Sequence, residues 1–320
     1  MASAASPRAV SNSRGAGTRW TAAEIPDQSG RTAVVTGANS GLGYETCRVL
    51  AARGAHVVMA SRDEGRGLAA LGRLRAEGAG ELEMLRLDLA DLGSVREFAA
   101  TLGARGRPID LLVNNAGIGM PGRSLTAQGF ESQFGVNHLG HFALTGLLLP
   151  LLRRGTGARV VTVSSEAYRD GSIDFDDLHG ARVYRPLKAY RQSKFANVLF
   201  GLELDRRLRA DAVPVASVLA HPGFTSTNLP SSGARGFAGL LLRVGNALVA
   251  QPVGRGAASQ LRAATAPDVE GGQFFGPGGR SGMYGPPVPL RPGPRATDPD
   301  AAARLWEISA ELTGVRYSFR

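Results

Sequence analysis

Thr36-Gly37-Ala38-Asn39-Ser40-Gly41-Leu42-Gly43 is the stretch that decides the fold. The apolar run TAVVT (32–36) leads into it. Behind it, apolar positions at Leu42, Thr46, Val49 and Leu50 recur at helical spacing, and Gly54 follows as a helix terminator. Strand, glycine turn and helix in that order begin a βαβ unit. Working outward, further strands are predicted at 56–60, 83–87, 109–113, 159–163, 215–220 and 273–275. Helical patterns at 66–77, 92–102, 131–152 and 188–209 separate them. This alternation predicts an α/β fold, a doubly wound parallel sheet in a single domain.

Three regions stand outside the rhythm. Residues 1–19 are Ala/Ser/Gly/Arg-rich and read as a disordered tail before a catalytic domain spanning 20–275. Residues 224–252 follow a strand, carry apolar residues and glycines, and read as a lid. Residues 276–300 are proline-rich and read as an irregular strap, followed by a terminal helix at 301–313 within a 276–320 extension.

Composition narrows the function classes. The 320 residues are 43% hydrophobic and 20% charged, which excludes global disorder. Cys47 is the single cysteine, so no intramolecular disulfide or thiolate cluster is available, and it reads as a small buried apolar residue. No apolar run reaches the ~18 residues of a membrane span, and the N-terminus lacks a signal-peptide core. These features predict a cytoplasmic protein without a membrane span. The net charge is +10, but the arginines are scattered, so nucleic acid is not an expected partner.

A glycine turn between strand and helix lets backbone approach a pyrophosphate, which the helix N-terminus then holds with free N–H groups and its dipole. Gly37, Asn39, Ser40, Gly41, Leu42 and Gly43 are therefore cofactor candidates. The end of the second strand should reach the adenine ribose. An acid there would favour NAD(H). Ser61 stands in its place with Arg62 next, and a guanidinium suits a 2′-phosphate, so NADP(H) is favoured over NAD(H).

Tyr190 and Lys194 lie four apart and share a helix face. A free phenol, with a pKa near ~10, is a poor base at neutral pH. A nearby ammonium stabilises the phenolate and makes the pair a usable general acid/base. The strand RVVTVSS (159–165) ends in hydroxyls. His138 and His141 lie three apart, but no third ligand with convincing spacing appears and no metal is expected.

These motifs, in this order, resemble the short-chain dehydrogenase/reductase family of Rossmann-fold enzymes over roughly residues 30–275. The Thr-Gly-x-x-x-Gly-x-Gly spacing is that family's form. The resemblance implies Ser165, rather than Ser164, as the serine that holds the substrate oxygen, Tyr190 as the proton donor and Lys194 as the ribose-binding partner. It implies that Asn137 bends its helix around a proton-relay water. It places Asp88 and Leu89 near the adenine, Asn115-Ala116-Gly117 on the cofactor floor, and Pro222, Gly223 and Thr227 at the nicotinamide. The 25-residue interval from Ser165 to Tyr190, the SSEAY start and the residues around Lys194 look like the retinol dehydrogenase and protochlorophyllide reductase branch. That branch implies a lipophilic alcohol or carbonyl substrate and a homodimer or homotetramer built on the helix carrying His138. The alternative on the same fold is a non-catalytic NAD(P)-sensing regulator.

Overall fold

The computed structural model describes residues 20–223, 253–279 and 282–319. An eight-stranded sheet of order β3-β2-β1-β4-β5-β6-β7-β8 forms the centre. Its parallel strands are β1 (Thr32–Thr36), β2 (His56–Ser61), β3 (Leu82–Arg86), β4 (Leu111–Asn114), β5 (Ala158–Val163), β6 (Val215–Ala220) and β7 (Phe274–Pro277). β1 is buried at every residue, as expected of a parallel strand covered on both faces. Alternate side chains serve opposite layers. Val34 joins the cluster under one set of helices, while Ala33 and Val35 join the other.

The helices are α1 (Gly41–Ala52), α2 (Glu64–Ala76), α3 (Leu92–Arg105), α4 (Ser132–Leu152), α5 (Pro186–Ala210), α6 (Val253–Thr265) and α7 (Pro299–Thr313). The chain leaves β1 toward β2 and returns to place β4 on β1's other side. This reversal opens a crevice at the carboxyl ends of β1 and β4, where doubly wound sheets bind ligands.

Two elements differ from the sequence expectation. The proline-rich strap contains β8 (Pro287–Leu290), an antiparallel edge strand on β7. Prolines cannot donate to a ladder, and an edge strand tolerates them because only one side is paired. Helix α6 begins at Val253, where no helix was expected, and packs against α1. The expected tail, lid and Thr227 lie outside the described residues.

α4 is long and apolar enough by composition to cross a membrane, which the search for apolar runs missed because polar residues interrupt it. In the fold it is a core helix, 78% buried over its most apolar window. α7 and the chain end cover its outer side. Trp306 stacks on Phe200 at 5.9 Å and meets Phe142 edge-on at 5.1 Å, and the Tyr317 hydroxyl donates to the Phe142 carbonyl at 2.7 Å. Each such aromatic pair contributes about 0.5–1.5 kcal/mol beyond burial. The α4 face that bears His138 is thus occupied by the chain's own C-terminal helix.

Candidate active site

The glycine turn sits at the C-terminal end of β1. Gly37 takes φ +67°, which only glycine adopts freely, and a Cβ on Gly43 would collide with the Gly37 carbonyl and the Asn115 amide. The turn is therefore closed tightly on itself. Aspartates cap α2, α3 and α7, namely Asp63, Asp91 and Asp298. α1 differs: its N-cap Ser40 makes no side-chain cap and no acid lies in the first turn. Its N–H groups and positive dipole end remain available, which fits a pyrophosphate.

Thr36 ties this turn to the neighbouring loop. Its hydroxyl accepts from the Asn115 and Ala116 amides, each at 2.9 Å, and its carbonyl accepts from Asn115 Nδ2 at 2.8 Å. From behind, Gln260 Nε2 of α6 donates to Thr46 Oγ1 at 2.6 Å and to Asn115 Oδ1 at 3.3 Å. Gln260 is a bracing residue that the sequence reading did not find. It lies 214 positions from Thr46, and no local pattern marks it.

Ser61 is buried and donates to the Asp63 carbonyl at 3.1 Å. Arg62 is exposed and has no hydrogen bond or ion pair among the described residues. Arg66, one helical turn on, lies in an exposed pair with Asp63 at 3.4 Å. Asp88 makes a turn by accepting from the Ala90 amide at 3.0 Å, and Leu89 is buried against Gly140 of α4. Gly223 takes φ +69° and donates its N–H to His221 Nδ1 at 3.2 Å, so Pro222-Gly223 forms a fixed turn at the end of β6.

Tyr190, Ser165 and Lys194 come together above β5. The Ser165 side chain accepts from the Ala167 amide at 3.3 Å and lies close enough to Tyr190 to pull the phenol's pKa down. Lys194 Nζ lies 6.0 Å from the Tyr190 ring centre and donates to the Val163 carbonyl at 3.2 Å. Gly117 lets the backbone come close there: a Cβ would sit 3.3 Å from Asn137 Oδ1 and 3.4 Å from Lys194 Nζ, tighter than ordinary contact. Burial pushes the Lys194 ammonium down to about 8. Burial also pushes the Tyr190 phenol up, and only Ser165 pulls it back. The sequence expectation that Lys194 sets the tyrosine low is not what these groups do by themselves.

Asn137 lies in a π-helical turn, Gly135–Leu139, inside α4. Its side chain accepts from the Ile118 amide at 2.8 Å and donates to the Ile118 carbonyl at 3.0 Å and to Ser193 Oγ at 2.9 Å. Both histidines of α4 are engaged within the protein: His138 Nε2 pairs with Ser309 Oγ at 2.8 Å, and His141 Nε2 with Thr36 Oγ1 at 2.9 Å. Among the described residues no group of three candidate ligands could hold a metal.

The comparisons agree with this geometry. The short chain dehydrogenase family profile matches residues 31–234. The chain is 44% identical to mouse polyprenol dehydrogenase over 299 residues, covering 91% of this chain and 86% of that protein. It is 41% identical to human retinol dehydrogenase 14 over 307 residues, covering 89% and 87%. Among solved structures, an uncharacterized protein from Mycobacterium paratuberculosis aligns with TM-score 0.79 and 45% identity over 94% of this chain and all of that one. The NADP active-site complex of Pseudomonas aeruginosa RhlG aligns with TM-score 0.61 and 26% identity, covering 77% and 94%. With the glycine turn, the Tyr190 cluster and these likenesses in agreement, the chain belongs to the short-chain dehydrogenase/reductase family, in its retinol dehydrogenase-like branch, and is an oxidoreductase acting on CH–OH groups.

Proposed function

We propose that this enzyme interconverts a lipophilic primary or secondary alcohol and its carbonyl with NADP(H), using Tyr190 as the general acid/base. The observation that carries the reading is the buried Lys194 ammonium 6.0 Å from the Tyr190 ring centre, with Ser165 beside the phenol. The dinucleotide supplies or accepts the hydride when bound. In reduction, Tyr190 gives its proton to the carbonyl oxygen while Ser165 holds that oxygen. In oxidation, Tyr190 takes the hydroxyl proton. Lys194, buried beside the phenol, would hold the nicotinamide ribose. Asn137 supports proton return to Tyr190.

The polyprenol and retinol named in the relatives are lipophilic alcohols, which supports that substrate class. Ser61 without a carboxylate and Arg62, which has no ion pair among the described residues, support the 2′-phosphate, as do NADP complexes among the structural relatives. The test is initial-rate turnover of retinol, a polyprenol and a short water-soluble alcohol with NADP and with NAD. The expected order has the lipophilic alcohols and NADP ahead in kcat/KM. Turnover of none of them, with cofactor bound, would overturn the reading.

A further inference from the structure

The buried ring of His141 joins two parts of the site that are distant in sequence. His141 is 1% exposed and lies on α4, one turn beyond Asn137. Its Nδ1 is 3.1 Å from the Asn137 carbonyl, and its Nε2 is 2.9 Å from Thr36 Oγ1.

The proton positions follow from the partners. A carbonyl oxygen only accepts, so Nδ1 carries the hydrogen. The Thr36 hydroxyl already receives the Asn115 and Ala116 amides, which uses both its lone pairs. Its own hydrogen is then free to donate, and Nε2 is nearer than its other acceptor, the Val113 carbonyl at 3.4 Å. Both ends require the same neutral tautomer. One directed chain runs from the Asn115-Ala116 amides through Thr36 and His141 to the Asn137 carbonyl. Burial pushes the imidazole down to about 4, so it stays neutral through the working range. Among the described residues, the charged group acting on it is Lys194 from α5, and it in turn acts on His138 of its own helix.

We propose that His141 is a positioning residue for catalysis, holding the Asn137 main-chain carbonyl of the π turn in register with the loop that floors the cofactor site. The inference rests on the reading of Asn137 as the support for proton return to Tyr190. A one-directional bridge suits that role, because it fixes the carbonyl's direction without offering a titrating group of its own. A leucine of similar bulk would fill the space and lose both hydrogen bonds. An asparagine would keep an N–H near the Nδ1 position.

The first test is the ring's 15N shifts in the intact enzyme, assigned by loss of the signals in His141→Asn. The expected result is the neutral Nδ1–H tautomer from pH 8 to pH 5. The Nε2–H tautomer, or protonation near pH 6.5, overturns the proposal. The second test is kinetic. His141→Leu is expected to lower kcat on the order of tenfold, with the alcohol KM and the NADPH Kd within threefold of the parent and His141→Asn recovering much of the loss. A folded His141→Leu with parental kcat overturns it, and so does a loss confined to NADPH affinity. If His141→Leu does not fold, the 15N result on the parent decides. A parent without turnover marks failure of the proposed function instead, since the tautomer is read without activity.

Discussion

The Ser164 hydroxyl donates to the Lys194 carbonyl at 2.8 Å, while its neighbour Ser165 turns to Tyr190. Two adjacent serines at the end of β5 thus do different work. One clamps α5 to the sheet, and the other faces the reacting groups. Ser165→Ala should lower kcat by about 10²-fold, the scale of losing one preorganised donor, with little change in melting temperature. Ser164→Ala should cost about 1 kcal/mol of stability, from a lost buried hydrogen bond. Thermal melts and steady-state rates on both variants check the division. Equal kinetic losses would contradict it.

Tyr190→Phe retains the ring and its packing and removes the proton. Turnover should fall by about 10²–10⁴-fold while NADPH still quenches or shifts protein fluorescence. Rates within threefold of the parent would remove Tyr190 from the mechanism.

Oxidation should depend on pH in a defined direction. Burial raises the Tyr190 phenol, so the phenolate needed to take the alcohol proton becomes commoner as pH rises. Lys194, pushed down to about 8, loses its charge over the same range. Alcohol oxidation should therefore climb from neutral pH and bend over as Lys194 deprotonates. Reduction, which needs the protonated phenol, should be flat near neutrality and fall at alkaline pH. A pH–kcat profile in each direction tests this, and parallel profiles would refute it.

Cofactor preference should reside at the end of β2. Ser61→Asp combined with Arg62→Leu should weaken NADPH and improve NADH. Losing a charge-assisted contact of roughly 1.5–3 kcal/mol corresponds to about 10- to 150-fold in affinity. Arg66 lies one turn on in an exposed pair with Asp63 that a 2′-phosphate can outcompete, so the Arg62→Leu change by itself should show less than the double change. A parent that already prefers NADH in kcat/KM would show that Arg62 is an ordinary surface arginine.

Acid should destabilise the fold through its buried histidines. His138, His141 and His221 are pushed by burial to about 3, 4 and 4. Their folded values lie below the ordinary ~6.5 of the unfolded chain, so the unfolded state binds the extra protons. Stability is complete above about pH 6.5 and is lost as pH falls toward 4, by about 1.4 kcal/mol per pH unit for each histidine. Chemical denaturation at pH 7.5 and pH 5.5 measures the difference. Equal midpoints would mean these rings are accessible to protons in the folded protein.

The sequence by itself determined the features that short-range pattern encodes. The βαβ rhythm was legible because parallel strands buried on both faces read as apolar runs, and helices repeat every three to four residues. The glycine turn was legible because Gly37 and Gly43 meet steric demands that no other residue satisfies. Tyr190 and Lys194 were legible as a pair because one helical turn places them together.

Only the tertiary structure decided what depends on segments far apart in the chain. His141 and Thr36 are 105 positions apart, and Gln260 and Asn115 are 145 apart, so no local spacing announces either contact. β8 was hidden because its prolines forbid a paired interior and are tolerated only at an edge, which sheet order creates. The covering of α4 by α7 follows from how Trp306 meets Phe142 and Phe200, where an apolar helix pattern is satisfied equally by lipid, a partner or the chain's own end. The direction of the Tyr190 pKa belongs with these: chain order sets which residues are neighbours on a helix, but burial, which packing alone fixes, sets the cost of charging them.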